Sequence, residues 1–314
     1  MKRISWAVCT ALVAAGAPVQ SARGQEPARG DQWLSHPVDD HTFRTFLDFF
    51  TYDHQTPFAT QTLDSVEQEG VRREHVSFQS TLGIRVTGYF YRTVAPGARG
   101  GAAVVLLHGG SAPGKDVPYT AAVAQLLGRA GFDVLSIDMP YFGERRTDLF
   151  TTFTEQEKHD RLYNQPPAYL AWVTQIVKDV GRSLDWLVAE RAVDPRRIGI
   201  VGISRGAVEA VIAAGADARF AALVMIYGGH FDALETSHLA AACPANYIGH
   251  ISPRPILMIN GTRDNDFVRE SSVAPLYRLA RAPKEILWAE GGHQGVPTEE
   301  QQTGMLQWMR ERLR

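Results

Sequence analysis

The sequence predicts an α/β fold with a mostly parallel central sheet and helices on both faces. Short, wholly apolar segments such as 102–107 alternate with amphipathic segments of helical period over residues 102–313. Buried parallel strands have this continuous apolar character because helices cover both faces of their sheet. The chain has 314 residues, 45% hydrophobic and 21% charged, which is typical of a globular protein.

Each element has its own local pattern. Two alternating segments, 72–80 and 83–93, are predicted to be antiparallel strands that precede the parallel ones. The predicted parallel strands are 102–107, 132–137, 198–203, 221–227, 256–260 and 285–289. The predicted helices are 41–52, 119–130, 169–190, 207–214, 271–281 and 298–313, the last with a capping box of Thr298 and Gln301. Insertions at 140–167 and after 227 are expected to form a small cap.

The N-terminus is predicted to be a secretory signal peptide at residues 1–24. Lys2 and Arg3 precede a short, alanine-rich apolar stretch, which small residues follow. An uncleaved anchor is disfavoured, since the stretch is short for a spanning helix and Gly16 and Pro18 interrupt it. The mature protein is therefore expected to be secreted or periplasmic, without a stable membrane anchor.

Charge and composition exclude several classes of function. The formal net charge is −2 and no basic segment is interleaved with aromatic residues, so a nucleic-acid partner is not expected. Loss of the signal peptide would remove Cys9 and leave Cys243 alone, so no internal disulfide is expected. A buried apolar role is favoured for Cys243 over a nucleophilic one, because no activating motif surrounds it. The sequence has no zinc motif, acidic metal loop or dinucleotide-binding glycine motif, so neither a metal nor another cofactor is expected.

The predicted strand 198–203 ends in the motif Gly202-x-Ser204-x-Gly206, and a predicted helix follows. A strand, a tight turn and a helix in this order form a nucleophile elbow, which holds a serine hydroxyl at the end of a sheet. The flanking residues must be small, because the strand and the helix approach closely there. Ser204 is the candidate nucleophile. The N–H of Arg205, at the start of the helix, is a candidate oxyanion donor.

A serine nucleophile also needs a base, an acid that orients the base, and an oxyanion hole. Candidates for each of these follow the ends of other predicted strands. Gly110 lies in a glycine-rich turn after the first parallel strand and is the candidate second oxyanion donor. Asp264 follows strand 256–260 and is the candidate orienting acid. His293 lies among glycines after the last strand and is the candidate base. This order of serine, aspartate and histidine is characteristic of one fold.

Other polar residues near these strand ends have alternative roles. Asp266 competes with Asp264 as the acid, although capping of the next helix is its more ordinary role. Asp232, after strand 221–227, could be the acid in a less common arrangement of the triad, in which the acid follows the neighbouring strand. His108 lies early in the chain and inside the glycine-rich turn, so a structural role is favoured for it.

These motifs resemble those of the α/β-hydrolase superfamily over roughly residues 71–314, which would leave 25–70 as an N-terminal extension. The segments 108–110, 137–145 and 194–198 are similar to the branch of dienelactone hydrolases, acetyl xylan esterases and prolyl oligopeptidase-like proteins. In that branch the turn at 138–143 shapes the site, which implies that Tyr141 lies near the pocket. Dienelactone hydrolases usually have a cysteine nucleophile, so a serine at 204 favours esters.

The function expected from this resemblance is a secreted serine hydrolase, a carboxylesterase or acetyl esterase, that acts through an acyl-enzyme. Its substrate would be a small-molecule or carbohydrate-linked ester, with Tyr141 and His230 as candidate substrate-binding residues. A serine exopeptidase of the prolyl oligopeptidase-like type is the alternative enzyme, disfavoured because no large N-terminal domain restricts access. A non-catalytic binding protein on the same fold is disfavoured because the candidate triad is complete. A dehalogenase would need an aspartate in place of Ser204.

Overall fold

The computed structural model describes residues 32–81, 83–94, 101–231 and 239–313. The predicted signal peptide (1–24) and Asp232 lie outside these residues. The strands are β1 (Gln61–Gln68), β2 (Val71–Gln79), β3 (Arg85–Thr93), β4 (Ala103–Leu107), β5 (Asp133–Ile137), β6 (Ile198–Ile203), β7 (Ala222–Ile226), β8 (Ile256–Gly261) and β9 (Lys284–Ala289). The helices are α1 (Gln32–Ser35), α2 (Asp40–Leu47), α3 (Pro118–Arg129), α4 (Asp148–Thr151), α5 (Glu155–Lys158), α6 (Pro166–Arg191), α7 (Arg205–Ala216), α8 (Ala274–Leu279) and α9 (Glu299–Arg312).

Within the described residues, nine strands form one mixed sheet in the order β1-β2-β3-β5-β4-β6-β7-β8-β9. β1, β2, β3 and β5 pair antiparallel in that order, whereas the pairs from β5 through β4 to β9 are parallel. All residues of β4 through β8 are buried. This explains their mainly apolar sequences, and the predicted α/β fold with a mostly parallel sheet is confirmed.

The edge strand β1 is absent from the sequence prediction. All eight of its residues are exposed, so it has none of the hydrophobic alternation by which a half-buried strand is recognised. Backbone pairing with β2 holds it in the sheet, from Gln61 opposite Ser77 to Gln68 opposite Val71. β1 lies within the segment 25–70 that was expected to be an extension.

The insertions differ in where they lie. The connection between β5 and α6 contains the unpredicted helices α4 and α5, each of four residues, too short to show a helical period. Residues 239–251 of the second insertion pack against α2 and the residues just before it. There, the Val38 N–H donates to Asn246 Oδ1 at 3.0 Å, and the Phe43 ring stacks on His250 with centroids 3.5 Å apart.

Helices cover both faces of the sheet. The long helix α6, with α7 beside it, packs on one face, and α3 and α9 pack on the other. Trp186 of α6 stacks on Phe78 of β2 with ring centroids 5.2 Å apart. None of the helices in the described part of the chain is long and apolar enough to cross a membrane.

A buried ion pair joins the loop after β4 to the turn after β5. Lys115 Nζ lies 2.8 Å from Asp138 Oδ2, and the Lys115 N–H donates to Asp138 Oδ1 at 2.9 Å. Both side chains are fully buried, and Thr87 Oγ1 donates to Asp138 Oδ2 at 3.0 Å. Burial alone would lower the pKa of Lys115, but the charge and hydrogen bond of Asp138, with the hydrogen bond to Glu144 and the charge of Asp116, outweigh it and hold that pKa above its ordinary value.

We therefore expect Lys115→Met to destabilise the protein strongly. The substitution leaves the Asp138 carboxylate buried without its cation, and breaking a buried pair in this way costs about 3–5 kcal/mol. The free energy of unfolding in denaturant measures the effect. Arg129→Met is the matched control, because Arg129 and Glu69 form a half-exposed surface pair worth about 0–1 kcal/mol. Equal losses in the two variants would contradict a special role for the buried pair.

Candidate active site

Ser204 lies in a strained turn between β6 and α7. Its backbone has φ +54° and ψ −118°, a conformation that costs a non-glycine residue about 1–3 kcal/mol. The flanking glycines make this turn possible. A Cβ at Gly202 would lie 2.2 Å from the Gly206 carbonyl oxygen, and one at Gly206 would lie 2.4 Å from the His108 carbonyl oxygen. The motif therefore has the strand, turn and helix geometry of a nucleophile elbow.

The structure brings Ser204, His293 and Asp264 into one hydrogen-bonded chain. Ser204 Oγ lies 3.0 Å from His293 Nε2, and His293 Nδ1 lies 2.9 Å from Asp264 Oδ2. The three residues follow β6, β9 and β8 at the carboxyl edge of the parallel strands. Ligands and reacting groups collect at this edge in open α/β sheets.

Two backbone groups orient the Asp264 carboxylate. Its Oδ1 accepts the N–H groups of Asp266 at 2.8 Å and Phe267 at 3.0 Å, which leaves Oδ2 for His293. Burial raises the pKa of Asp264, but the bond to His293 and these backbone bonds outweigh it and lower the pKa overall. Asp264 is therefore ionised at neutral pH and holds the Nδ1 proton of the imidazole.

The pKa of His293 responds to the same neighbours. Burial lowers it, but the hydrogen bond and charge of Asp264, with a further contribution from Asp266, raise it overall. The neutral imidazole has its free nitrogen at Nε2, aimed at Ser204. The arrangement can move a proton from the serine hydroxyl to the imidazole and back.

Asp266 occupies a different position from Asp264. Its carboxylate lies 3.8 Å from His293 Nε2, and its side chain is 67% exposed. The structure thus brings Asp264, and not Asp266, to Nδ1. Among the described residues, Asp264, Asp266 and His293 are also the group whose ligand atoms lie close enough to hold a metal ion. A metal there would compete with the hydrogen bonds that join this group to Ser204.

The two candidate oxyanion donors flank the serine. Arg205 is the first residue of α7, so its N–H has no acceptor within the helix. Gly110 follows β4 and approaches the Arg205 side chain, since a Cβ there would lie 3.7 Å from Arg205 Nε. Gly110 and Arg205 line the same cavity as Ser204. A developing oxyanion beside Ser204 could therefore meet N–H groups from both sides.

His108 holds the loop that carries Gly110. Its ring is buried, Nε2 accepts the Met139 N–H at 3.0 Å, and Nδ1 lies 2.6 Å from the Gly109 carbonyl oxygen. Because Nε2 accepts, Nδ1 carries the proton and donates it to Gly109. Burial lowers the pKa of His108, so the neutral ring links the loop to the strand end after β5.

Two of the cavities lined by described residues meet at Ser204. The larger, of about 400 Å³, is lined by residues including Phe150, Lys158, Tyr163, Arg205, Phe231 and Phe267. The smaller, of about 270 Å³, is lined by residues including Ser111, Tyr119, His293 and Gly295. A cavity of about 490 Å³, lined by residues such as Tyr52 and Arg219, does not include Ser204.

Tyr141 and His230, the expected substrate-binding residues, are not among the described residues that line the two cavities at Ser204. Tyr141 stacks on Trp172 with centroids 6.5 Å apart. His230 is buried, and its carbonyl oxygen accepts the Ser272 hydroxyl at 2.6 Å.

The sequence prediction of the site does not include the aromatic residues that line the larger cavity, although each carries a weak signal. Phe231 and Phe267 follow strand ends, and Phe150 and Tyr163 belong to the aromatic connection before α6. For Arg205 the motif indicates a role only for the backbone N–H, whereas its side chain also lines the cavity. An aromatic residue in a loop lines the cavity only where the tertiary fold places that loop beside Ser204.

Comparisons with known proteins agree with this geometry. A family model described as the alpha/beta hydrolase fold matches residues 102–240, which span the glycine-rich turn and the elbow. This chain is an α/β-hydrolase-fold protein. An acetyl xylan esterase from Paenibacillus sp. R4 is 18% identical with a TM-score of 0.65, over 90% of this chain and 98% of the other.

Other solved esterases are similar to this α/β-hydrolase-fold protein. Acetyl xylan esterase 1 from Thermoanaerobacterium sp. JW/SL YS485 is 17% identical with a TM-score of 0.63, over 91% of this chain and 94% of the other. A cold-adapted esterase from an Arctic intertidal metagenomic library is 21% identical with a TM-score of 0.60, over 80% and 98%. No curated protein matches the sequence significantly. At these identities the likeness concerns the fold.

Proposed function

We propose that this protein is a serine hydrolase that cleaves carboxylic esters, as a carboxylesterase or acetyl esterase. The observation that carries the proposal is the hydrogen-bonded chain from Asp264 through His293 to Ser204, with its distances of 2.9 and 3.0 Å, on a strained elbow. Each link has the length and order that nucleophilic catalysis by serine needs. The esterases among the similar folds support an ester as the substrate.

In the proposed first step, Ser204 Oγ attacks the ester carbonyl carbon as its proton passes to His293 Nε2. The carbonyl oxygen becomes an oxyanion, which the N–H groups of Gly110 and Arg205 bind. The imidazolium then gives its proton to the alcohol oxygen, and the bond between carbon and that oxygen breaks. The acyl group remains on Ser204 as an ester.

Deacylation repeats the sequence with water as the nucleophile. His293 takes a proton from water as the water oxygen bonds to the acyl carbon. The oxyanion then collapses, the bond between the acyl carbon and Ser204 Oγ breaks, the imidazolium returns its proton to Oγ, and the carboxylic acid leaves. Asp264 stays ionised throughout and stabilises the imidazolium that forms twice in each cycle. No step requires a cofactor. The substrate would be a small-molecule or carbohydrate-linked ester.

Substitution of Ser204 by alanine is expected to abolish hydrolysis of p-nitrophenyl esters. Removal of a serine nucleophile lowers kcat by about 10⁶-fold in a well-studied serine hydrolase. The measurement compares acetate, butyrate and octanoate esters with the wild-type protein and Ser204→Ala. Ser65→Ala on the exposed strand β1 is the matched control and should retain full activity.

Hydrolysis that persists in Ser204→Ala would exclude this elbow as the site of catalysis. A folded wild-type protein that hydrolyses none of the esters would contradict the esterase proposal. Cleavage of peptide substrates by that protein would then favour the exopeptidase, and inertness toward both would favour a binding protein.

The pH dependence of the esterase is expected to follow His293. Only the neutral imidazole accepts the serine proton, so kcat/KM should fall as the pH falls through the pKa of His293. That pKa is held above its ordinary value of 6.5, so the midpoint should lie above 6.5. Asp264→Asn removes the main cause of the increase and leaves the opposing effect of burial, so the midpoint should move to lower pH while the rate falls by roughly 10⁴-fold.

Asp266→Asn is the matched control for the pH profile. Asp266 is a smaller and more exposed contributor to the pKa of His293, so its loss should lower the midpoint only slightly. A midpoint at or below 6.5 in the wild-type protein, or one unchanged in Asp264→Asn, would contradict His293 as the base oriented by Asp264.

We also propose that the protein is exported, on the strength of the basic start and short apolar stretch of residues 1–24. Expression of the full chain in a Gram-negative bacterium should yield a periplasmic protein cleaved after Ala22 or Gly24. N-terminal sequencing of the periplasmic fraction measures this. Full-length protein that remains in the cytoplasm or the inner membrane would contradict it. A variant without residues 2–24 is the control and should stay cytoplasmic.

A further inference from the structure

The buried amide of Gln301 joins three strand ends beside the candidate triad. Gln301 is only 2% exposed. Its Nε2 donates to the carbonyl oxygen of Asn260 at 3.1 Å and, more weakly, to that of Leu287 at 3.5 Å. Its Oε1 accepts the Tyr227 hydroxyl at 3.1 Å. Asn260 lies in β8, Leu287 lies in β9, and Tyr227 directly follows β7. One side chain therefore joins the strand that precedes the candidate acid to the strand that precedes the candidate base.

The capping box at the start of α9 accounts for only part of this arrangement. Gln301 Oε1 also accepts the Thr298 N–H at 3.1 Å, and Thr298 Oγ1 accepts the Gln301 N–H at 3.3 Å. A glutamate serves equally well in a capping box, because the box needs only an acceptor oxygen from this side chain. An ionised glutamate has no N–H groups to donate to strand carbonyls. The amide of Gln301 therefore does more than cap a helix.

Tyr227 extends this arrangement to the imidazole of His293. The two rings meet edge to face, with centroids 6.0 Å apart and an interplanar angle of 70°. The Tyr227 backbone has φ +48°, in the left-handed region that bulky residues rarely adopt, and its N–H donates to the Ile259 carbonyl oxygen at 2.7 Å. Burial and the charge of Asp264 raise the pKa of the Tyr227 hydroxyl, so it stays protonated and donates to Gln301. The tyrosine is therefore held at its backbone and at its hydroxyl.

We propose that Gln301 is a positioning residue of the triad, which holds Asp264 and His293 at hydrogen-bonding distance from each other. It does so by joining the ends of β8 and β9 and by fixing the ring of Tyr227. This role rests on the proposed ester hydrolysis. His293 lies 2.9 Å from Asp264 Oδ2 and 3.0 Å from Ser204 Oγ, so a small shift of its loop breaks a link. Misplacement of a reacting group by about 1 Å can cost about 100-fold in rate.

Removal of the amide tests this role. Gln301→Met keeps the length of the side chain and removes its hydrogen bonds. We expect kcat for p-nitrophenyl acetate to fall by about 10- to 100-fold with little change in KM, because no contact with the ester is lost. The pH midpoint of kcat/KM should move to lower pH, since Asp264 and Asp266 raise the pKa of His293 less as their distance from it grows. Rates are expressed per Ser204 that a fluorophosphonate probe labels at completion, so unfolded protein is not counted.

A milder substitution tests the same role with less risk to folding. Tyr227→Phe keeps the ring and removes only the hydroxyl that binds Gln301. It should lower kcat by about 3- to 10-fold, the range that one neutral hydrogen bond supports. Tyr247→Phe is the matched control, because Tyr247 is fully buried and its hydroxyl donates to the Ala241 carbonyl oxygen at 2.7 Å. Tyr247 is not among the described residues that line the two cavities at Ser204, so this variant should lose melting temperature without loss of kcat.

Two further variants separate positioning from helix capping. Thr298→Ala removes the hydroxyl that caps α9 and leaves the Gln301 amide in place. It should lower the melting temperature and leave kcat and the pH midpoint unchanged. Gln301→Glu retains the capping oxygen and loses the N–H donors, so its kcat should stay low, as in Gln301→Met.

Each result bears on a separate claim. An unchanged kcat and pH midpoint in Gln301→Met would overturn the positioning role and leave the esterase intact. If Gln301→Met does not fold, a kcat in Tyr227→Phe no lower than in Tyr247→Phe would overturn it. Equal losses of kcat in Thr298→Ala and Gln301→Met would make Gln301 a helix cap only and would also overturn it. Inertness of the wild-type protein toward p-nitrophenyl esters would instead contradict the ester hydrolysis on which this inference rests.

Discussion

The close approach of β6 to α7 is the constraint on which the rest of the site depends. The two elements touch at Gly202 and Gly206, where a single added carbon would collide with backbone. This contact forces Ser204 to φ +54°. The Ser204 N–H donates to the Ile226 carbonyl oxygen at 2.8 Å, so the central strand β7 supports the strained residue. A strained turn persists only when its surroundings determine it this strongly.

Loops that follow other strands converge on this turn, and buried polar contacts fix the loops after β4 and β8. The loop after β4 is held by Lys115 on Asp138 and by His108 on Met139. The acid after β8 is held by two backbone N–H groups. Such bonds are expensive to leave unmade in the interior, so the site is organised before a substrate binds. Preorganised dipoles of this kind stabilise developing charge without further rearrangement.

The candidate catalytic residues and the residues that line the cavities were predictable to different degrees. Gly110, Ser204 and Asp264 each follow a wholly buried strand, and His293 follows the partly exposed edge strand β9. Buried strands have a continuous apolar signature. The orientation of Arg205 over three rings had no such signature, since Tyr163, Trp172 and Phe231 come from different segments. β1 escaped prediction for a related reason, because its pairing with β2 involves backbone atoms that every residue shares.

The sequence by itself determined the order of strands and helices, the position of the elbow and the order of the candidate serine, acid and base. All of these features depend on local periodicity and on glycines at fixed spacing. The tertiary structure decided which of two aspartates meets Nδ1 of His293, where the cavities lie and which side chains enclose them. Those features depend on distances between residues far apart in the chain, such as Asp264 and His293 at 2.9 Å. Local pattern carries no information about such distances, because they are set by how the loops at the sheet edge pack against one another.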